Sequence, residues 1–263
     1  MTSILIDLDG VLYEDEEVIA GAAEAIGWIQ DQGVPHLFLT NTTSRPRSAL
    51  VDKLGKMGIQ ADADRIVTPP FAANRWLETH VDGPVSLFVD DRTIGEFADI
   101  EIADSTHLDP VSAVVIGDYS DGWTYSELNR AFRQLMTEPS PVLVALGMTR
   151  YWHAADGLRL DTAPFVAALE HASGLEPIVI GKPAKPFFET ALAELGAVPE
   201  ETWMIGDDIR GDIGGAQNAG MRGVLAQTGK YRPGDLELEI TPDAVLDSIA
   251  ELPGWWQAHV DSS

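Results

Sequence analysis

The sequence predicts an α/β protein, a doubly wound parallel sheet interrupted by a second, inserted α/β domain. Three observations carry this. Short apolar runs alternate with stretches of helical period through the first 80 residues, and again from residue 178. Several runs have no polar alternate, as expected of strands buried on both faces by helices. Between them, from about Val81 to Pro177, lies a second set of the same alternation. The expected core is residues 1–80 with 178–263, and the expected insert is residues 81–177.

The elements follow in order. Ser3-Ile4-Leu5-Ile6, bounded by Asp7 and Gly10, reads as a short buried strand. A helical period runs from Gly21 to Gln32 and stops at Gly33. Val34 to Leu39 is a second strand, ending at Thr40-Asn41-Thr42. Ser44 to Met57 reads as a helix closed by Gly58, Ile66 to Thr68 as a strand, and Phe71 to Thr79 as a helix. In the insert, strands are expected at Val85–Val89, Ala113–Ile116 and Pro141–Leu146, and helices at Tyr125–Met136 and Thr162–Ala172. The first pattern then resumes. Ile178-Val179-Ile180 leads into Gly181-Lys182-Pro183, and a helix spans Pro186 to Leu195. Trp203-Met204-Ile205 is a strand ending at Gly206-Asp207-Asp208, a helix runs to about Ala219, and Arg222 to Ala226 is a strand.

Composition narrows the function. Lys and Arg number 17 against 42 Asp and Glu, a formal net charge of −25. Such a field repels nucleic acid and anionic membranes. It also fits a salty cytoplasm, where screening mutes self-repulsion. No run approaches the roughly 18 apolar residues of a membrane span, and the start lacks the basic and apolar regions of a signal peptide. Cysteine is absent, which removes disulfides and thiolate chemistry and makes a cytoplasmic location the expectation.

Three apolar strands end in polar residues suited to one pocket: Asp7/Asp9, Thr40/Asn41 and Asp207/Asp208. Ligands of open α/β sheets bind outside the carboxyl ends of the strands, so residues far apart in sequence meet there. Lys182 can reach the same edge. Crowded carboxylates raise one another's pKa values, and a hard cation such as magnesium (Mg2+), with oxygen ligands, relieves this. One oxygen of Asp7 is then free to attack phosphorus and form an aspartyl phosphate. Gly10 permits a sharp turn that brings Asp9 over the leaving group as general acid and later base. Thr40 offers a hydroxyl and Asn41 a backbone N–H to phosphate oxygens, and Lys182 holds Asp7 and the phosphoryl group together. Each feature read alone has a plainer meaning. Asp7-Leu8-Asp9 also fits a solvated turn, Thr40-Asn41 a helix N-cap, Lys182-Pro183 an exposed loop, and Asp207-Asp208 a strand-end turn. Together and in order, they point to a phosphate-transfer site.

Asp7-Leu8-Asp9-Gly10-Val11-Leu12-Tyr13, Leu39-Thr40-Asn41-Thr42, Gly181-Lys182-Pro183 and Gly206-Asp207-Asp208-Ile209-Arg210-Gly211-Asp212 resemble the four motifs of the haloacid dehalogenase (HAD) superfamily of phosphohydrolases, in its NagD-like subfamily. The resemblance implies a Rossmann-like HAD core with a mobile flap after the first strand, and a C2-type cap for the insert. It implies that Asp7, the backbone carbonyl of Asp9, and Asp207 hold magnesium, with Asp208 and Asp212 in supporting positions. Asp212 also fits the start of a helix, where its charge favours the dipole. A small phosphorylated substrate and a homodimer are implied as well. One departure concerns the cap. Many NagD-like phosphatases carry an Asn-x-Asp loop where this chain has Leu146-Gly147-Met148-Thr149-Arg150-Tyr151-Trp152, so substrate rules do not transfer. Arg150 is a candidate contact for a substrate anion, or simply a surface arginine.

Other chemistries lack their residues. There is no Gly-x-Ser-x-Gly elbow, no Walker loop, and no metal-ligand spacing among the six histidines. Asp9 disfavours carbon–halogen hydrolysis. A phosphotransferase or phosphomutase shares the nucleophile and stays open, as does a non-catalytic phosphate-binding regulator on the same scaffold.

Overall fold

The computed structural model describes residues 2–104, 110–154 and 156–260. The first part of the chain runs β1 (Ser3–Asp7), β2 (Tyr13–Glu14), β3 (Glu17–Val18), α1 (Ala22–Asp31), β4 (His36–Leu39), α2 (Arg47–Lys56), β5 (Ile66–Val67) and α3 (Pro69–His80). It continues with β6 (Val85–Phe88), β7 (Ala113–Ile116), α4 (Tyr125–Leu135), β8 (Val142–Ala145), β9 (Tyr151–Ala154), β10 (Gly157–Leu160), α5 (Thr162–Ser173) and β11 (Ile178–Val179). It ends with α6 (Lys185–Leu195), β12 (Thr202–Gly206), α7 (Gly215–Asn218), β13 (Arg222–Ala226), β14 (Ala244–Leu246) and α8 (Leu252–His259).

Two compact units result. The first comprises Met1–Thr40, Arg47–Val67 and Lys182–Ser263, and the second Asn41–Pro46 and Thr68–Gly181. In the first unit six parallel strands lie in the order β14-β13-β12-β1-β4-β5. Successive side chains of a strand point to opposite faces, and here both faces are covered. Ile4, Ile6, Phe38 and Ile205 join Ile26 and Ile29 of α1, Leu50 and Leu54 of α2, and Trp256 of α8 in one core. Leu225 packs with Ile209 and Ile213 in a separate cluster. That is why β1 and β12 read as unbroken apolar runs: every residue of each is buried.

The second unit has its own parallel sheet, in the order β11-β8-β7-β6, and its own core around Phe88, Val114, Ile116, Leu135 and Val166. Its hairpin, β9 with β10, is antiparallel. The helix α3 belongs to this unit, as does β11, which pairs with β8.

Two boundaries depart from sequence expectation for local reasons. The helix expected from Ser44 begins at Arg47. Pro46 disfavours helical geometry in the residue before it. The helix expected after Asp208 begins as a π-helical turn, Ile209–Gly214, before the single turn of α7. Asp208 caps that turn, its Oδ1 accepting from the N–H groups of Arg210 (3.0 Å) and Gly211 (2.8 Å). Such wide turns concentrate at functional sites. The hairpin of β2 and β3 was legible only through the family resemblance, because two-residue strands carry no readable alternation.

Candidate active site

Parallel neighbours bring the predicted carboxylates together. Ile6 of β1 is in register with Ile205 of β12, and Asp7 with Leu39 of β4. Asp7, Asp207 and Thr40 therefore emerge at the carboxyl edge of three adjacent strands, where such sheets place their ligands. All three are buried.

Lys182 opens the last segment of the first unit and reaches the same point. Its Nζ lies 2.6 Å from Asp7 Oδ1 and 2.7 Å from Asp212 Oδ1. Asp7 Oδ1 also accepts from the N–H of Leu8 at 2.8 Å. Both donors converge on one oxygen of Asp7. Asp212 lies at the centre of the site rather than at its margin. It is 1% exposed, and its Oδ2 accepts from the N–H of Asp208 at 3.1 Å. It serves as a buried counter-ion where a helix-start aspartate would face solvent. Asp208 itself points to the backbone of the π-helical turn and supports it.

Crowding sets the electrostatics. Burial pushes the Asp7 carboxyl up; Lys182 opposes this and Asp207 adds to it. Burial raises Asp207 to about 6, against the N–H of Lys230 donating to it. Burial, then the charge of Asp7, raises Asp212 to about 7. For Lys182, burial acts to lower the pKa, yet the charges of Asp212 and Asp7 hold it above the usual lysine value.

This set fits a hard divalent cation. Carboxylate oxygens of Asp7, Asp207 and Asp212 lie within 4.8 Å of one another. Asp207 Oδ1 is buried with no hydrogen-bond donor among the described residues, while its Oδ2 accepts from the N–H of Lys230 at 2.6 Å. An acceptor stripped of donors is costly unless a cation meets it.

The loop after β13 completes the cradle. Thr228 Oγ1 donates to the carbonyl of Gly10, and the N–H of Gly229 donates to Glu14 Oε1 at 2.9 Å. Gly10 (φ +83) and Gly229 (φ +54) both need the left-handed region. A Cβ on Gly10 would fall 1.8 Å from Asp207 Oδ2, and one on Gly229 would fall 2.1 Å from it. Gly229→Ala should therefore destabilise the fold by more than about 1 kcal/mol. It should also weaken divalent-cation binding, because Asp207 must move. Thermal melts with and without magnesium check both; an unchanged melt and an unchanged titration would refute it. The signal in the sequence was a glycine just beyond the strand after Asp207, but nothing in the sequence said which carboxylate it faces.

The remaining candidates separate. Asp9 is exposed, and its Oδ2 is 3.4 Å from the hydroxyl of Tyr13. Thr40 donates its N–H to Val67 O at 3.2 Å. Asn41 and Arg150 belong to the second unit. Both are exposed there, and Arg150 has its guanidinium carbon 5.8 Å from the Tyr151 ring centre. Among the described residues, no helix is long and apolar enough to cross a membrane.

Comparisons with known proteins agree on the family and the fold. A family model described as haloacid dehalogenase-like hydrolase matches residues 4–103, and a second, HAD-hydrolase-like, matches residues 179–252. Haloacid dehalogenase-like hydrolase domain-containing protein 2 of Bos taurus is 42% identical over 246 residues, 94% of this chain and 91% of that protein. Phospholysine phosphohistidine inorganic pyrophosphate phosphatase of Xenopus laevis is 38% identical over 254 residues, covering 94% and 92%. The NagD structure from E. coli K-12 shares the fold, with a TM-score of 0.85 over 95% of this chain and 98% of that one, at 24% identity.

Proposed function

The chain belongs to the haloacid dehalogenase-like hydrolase family, and from that premise and the buried cluster of Asp7, Lys182, Asp207 and Asp212 we propose that it is a magnesium-dependent phosphatase acting on a small phosphorylated metabolite. The observation that carries this is the one-sided pairing of Asp7. Lys182 and the Leu8 N–H hold Oδ1, which orients Oδ2 as a nucleophile.

In the proposed reaction Oδ2 of Asp7 attacks phosphorus, and the bond to the leaving-group oxygen breaks. Asp9, protonated, gives its proton to that oxygen. The aspartyl phosphate is then cleaved by water, whose proton returns to Asp9 while phosphate departs and Asp7 is regenerated. Lys182 holds Asp7 in place and offsets charge on the phosphoryl oxygens. Thr40 donates to the same oxygens. Asp7, Asp207 and the carbonyl of Asp9 would hold the magnesium ion, which when bound supplies electrostatic stabilisation of the phosphoryl group. Asp212 keeps Lys182 charged and placed, and Asp208 supports the turn that carries Asp212. The first unit is read as the catalytic core and the second as a C2-type cap, with Asn41 and Arg150 as substrate contacts and the cap setting specificity. That two relatives carry phosphatase or hydrolase names supports the reaction class.

The test is phosphate release from a panel of small phosphoesters, with magnesium and with chelator. No release by folded, magnesium-loaded protein would reject the proposal. A linked melt tests the metal. Asp207 and Asp212 stand at about 6 and about 7 when folded, against 3.8 unfolded. A raised acid contributes stability that is complete below the unfolded value and lost as pH rises through the folded one. Magnesium competes with those protons. At roughly 100 times its Kd it should raise Tm by about 5–10 °C near pH 8 and by much less near pH 5. An equal shift at both pH values would exclude binding at Asp207, beside the Asp212 carboxyl.

A further inference from the structure

Asp9 has a neighbour that the proposed reaction does not use. The chain leaves β1 and winds tightly: the N–H of Leu12 donates to Leu8 O at 2.9 Å, and the N–H of Gly10 donates to Tyr13 O at 2.7 Å. The wind closes on itself as an isolated bridge between Asp9 and Tyr13. Tyr13 then enters the core, where it is 1% exposed. Its ring is buried, yet its hydroxyl is 3.4 Å from Asp9 Oδ2. That separation is long for a hydroxyl–carboxylate bond, but hydrogen bonds of catalytic groups tighten when substrate binds.

A second residue backs the first. Lys53, on α2, sets its Nζ 3.8 Å from the centre of the Tyr13 ring. The Lys53 side chain is only 12% exposed, and Glu16, between β2 and β3, lies 3.9 Å from it. A lysine this buried takes its compensation from the ring face and from Glu16. Electron withdrawal by a cation on the ring strengthens the phenol as a donor. The ring, clamped by Lys53 and by the core, cannot swing its hydroxyl away from Asp9.

We propose that Tyr13, backed by Lys53, is a positioning residue that holds Asp9 in the rotamer from which it delivers its proton to the leaving group. This rests on the phosphatase reading, in which Asp9 is the acid. An aspartate on an exposed loop would otherwise divide its time among rotamers, only some of which face the leaving oxygen. A hydrogen bond from a fixed, buried phenol selects one.

The consequence is specific to the leaving group. An alkyl phosphate departs only with a proton, whereas p-nitrophenolate departs without one. Tyr13→Phe keeps the ring, the core packing and the Lys53 contact, and removes the hydroxyl alone. It should lower kcat/KM for an alkyl phosphate about tenfold, the low end of a hydrogen bond to a charged group, and change that for p-nitrophenyl phosphate less than about twofold. Lys53→Met should shift both substrates in the same sense by less. Asp9→Asn, measured alongside, should show the same ordering to a larger degree. Equal losses on the two substrates, or no loss on either, overturn the inference. If Asp9→Asn shows the ordering and Tyr13→Phe does not, Tyr13 is structural and the proposed acid stands. If Asp9→Asn lacks it, the acid assignment falls and the inference with it.

Discussion

Asp7→Asn should lower kcat by at least about four orders of magnitude, the scale seen when a covalent nucleophile is removed, while the protein stays folded. The substitution is nearly isosteric. Its amide oxygen can still accept from the N–H of Leu8, and Lys182 keeps Asp212 as its counter-ion at 2.7 Å. Structure is preserved because the lost charge was one of several crowded together. Asp7 raises the Asp212 carboxyl, so its neutralisation should let Asp212 ionise more readily. The measurements are phosphate release, trapping of a phosphorylated chain by mass spectrometry, and a melt to show folding. Wild type should trap phosphate on the peptide containing Asp7, and the variant should trap none. Turnover within a factor of ten of wild type would show that phosphorus is attacked by another group.

Lys182→Met should carry the largest cost in stability. Lys182 is the shared partner of two carboxylates, Asp7 and Asp212, each nearly inaccessible to solvent. Removing one member of a buried ion network leaves uncompensated charge, typically about 3–5 kcal/mol. For a chain of this size that is a fall in Tm of roughly 10 °C or more. The loss should depend on pH. Lys182 opposes the upward push that burial exerts on both carboxyls, so without it both rise further. Their contribution to stability is then full at low pH and lost as pH climbs through their folded values. The gap to wild type should be small near pH 4 and widest near pH 8, by about the full 3–5 kcal/mol. Magnesium should narrow it, and turnover should be lost at every pH. A gap that is constant with pH would mean that the methionine fails through packing rather than through orphaned charge.

Much of the site was legible because it hangs on backbone periodicity. Asp7, Thr40 and Asp207 each follow an apolar run, and a run of that kind ends where a parallel strand ends. Lys182 was legible as a cation after an apolar stretch, although that stretch, β11, pairs in the second sheet. Asp212 was harder. Its spacing from Asp208 fits a helix-start charge, and only the π-helical turn and the close approach of Gly206, where a Cβ would lie 2.3 Å from Asp212 Oδ2, put it against Lys182. The loop at Thr228 to Lys230 and the pair Tyr13–Lys53 could not be paired by spacing at all. Their partners lie on other elements, and side-chain contacts across elements depend on how those elements pack.

The residues alone were enough for the α/β class, for the strands whose ends meet in the buried cluster, and for Asp7, Asp207 and Lys182 as members of that cluster. Those follow from burial period and residue type, which are local. Packing settled the rest: Lys182 bridges Asp7 and Asp212, Asp207 keeps one oxygen without a donor among the described residues, and Tyr13 stands against Asp9. These depend on strand order and register, with β12 and β4 flanking β1. Neighbours in a parallel sheet are chosen by crossover connections and core packing, which no window of sequence contains.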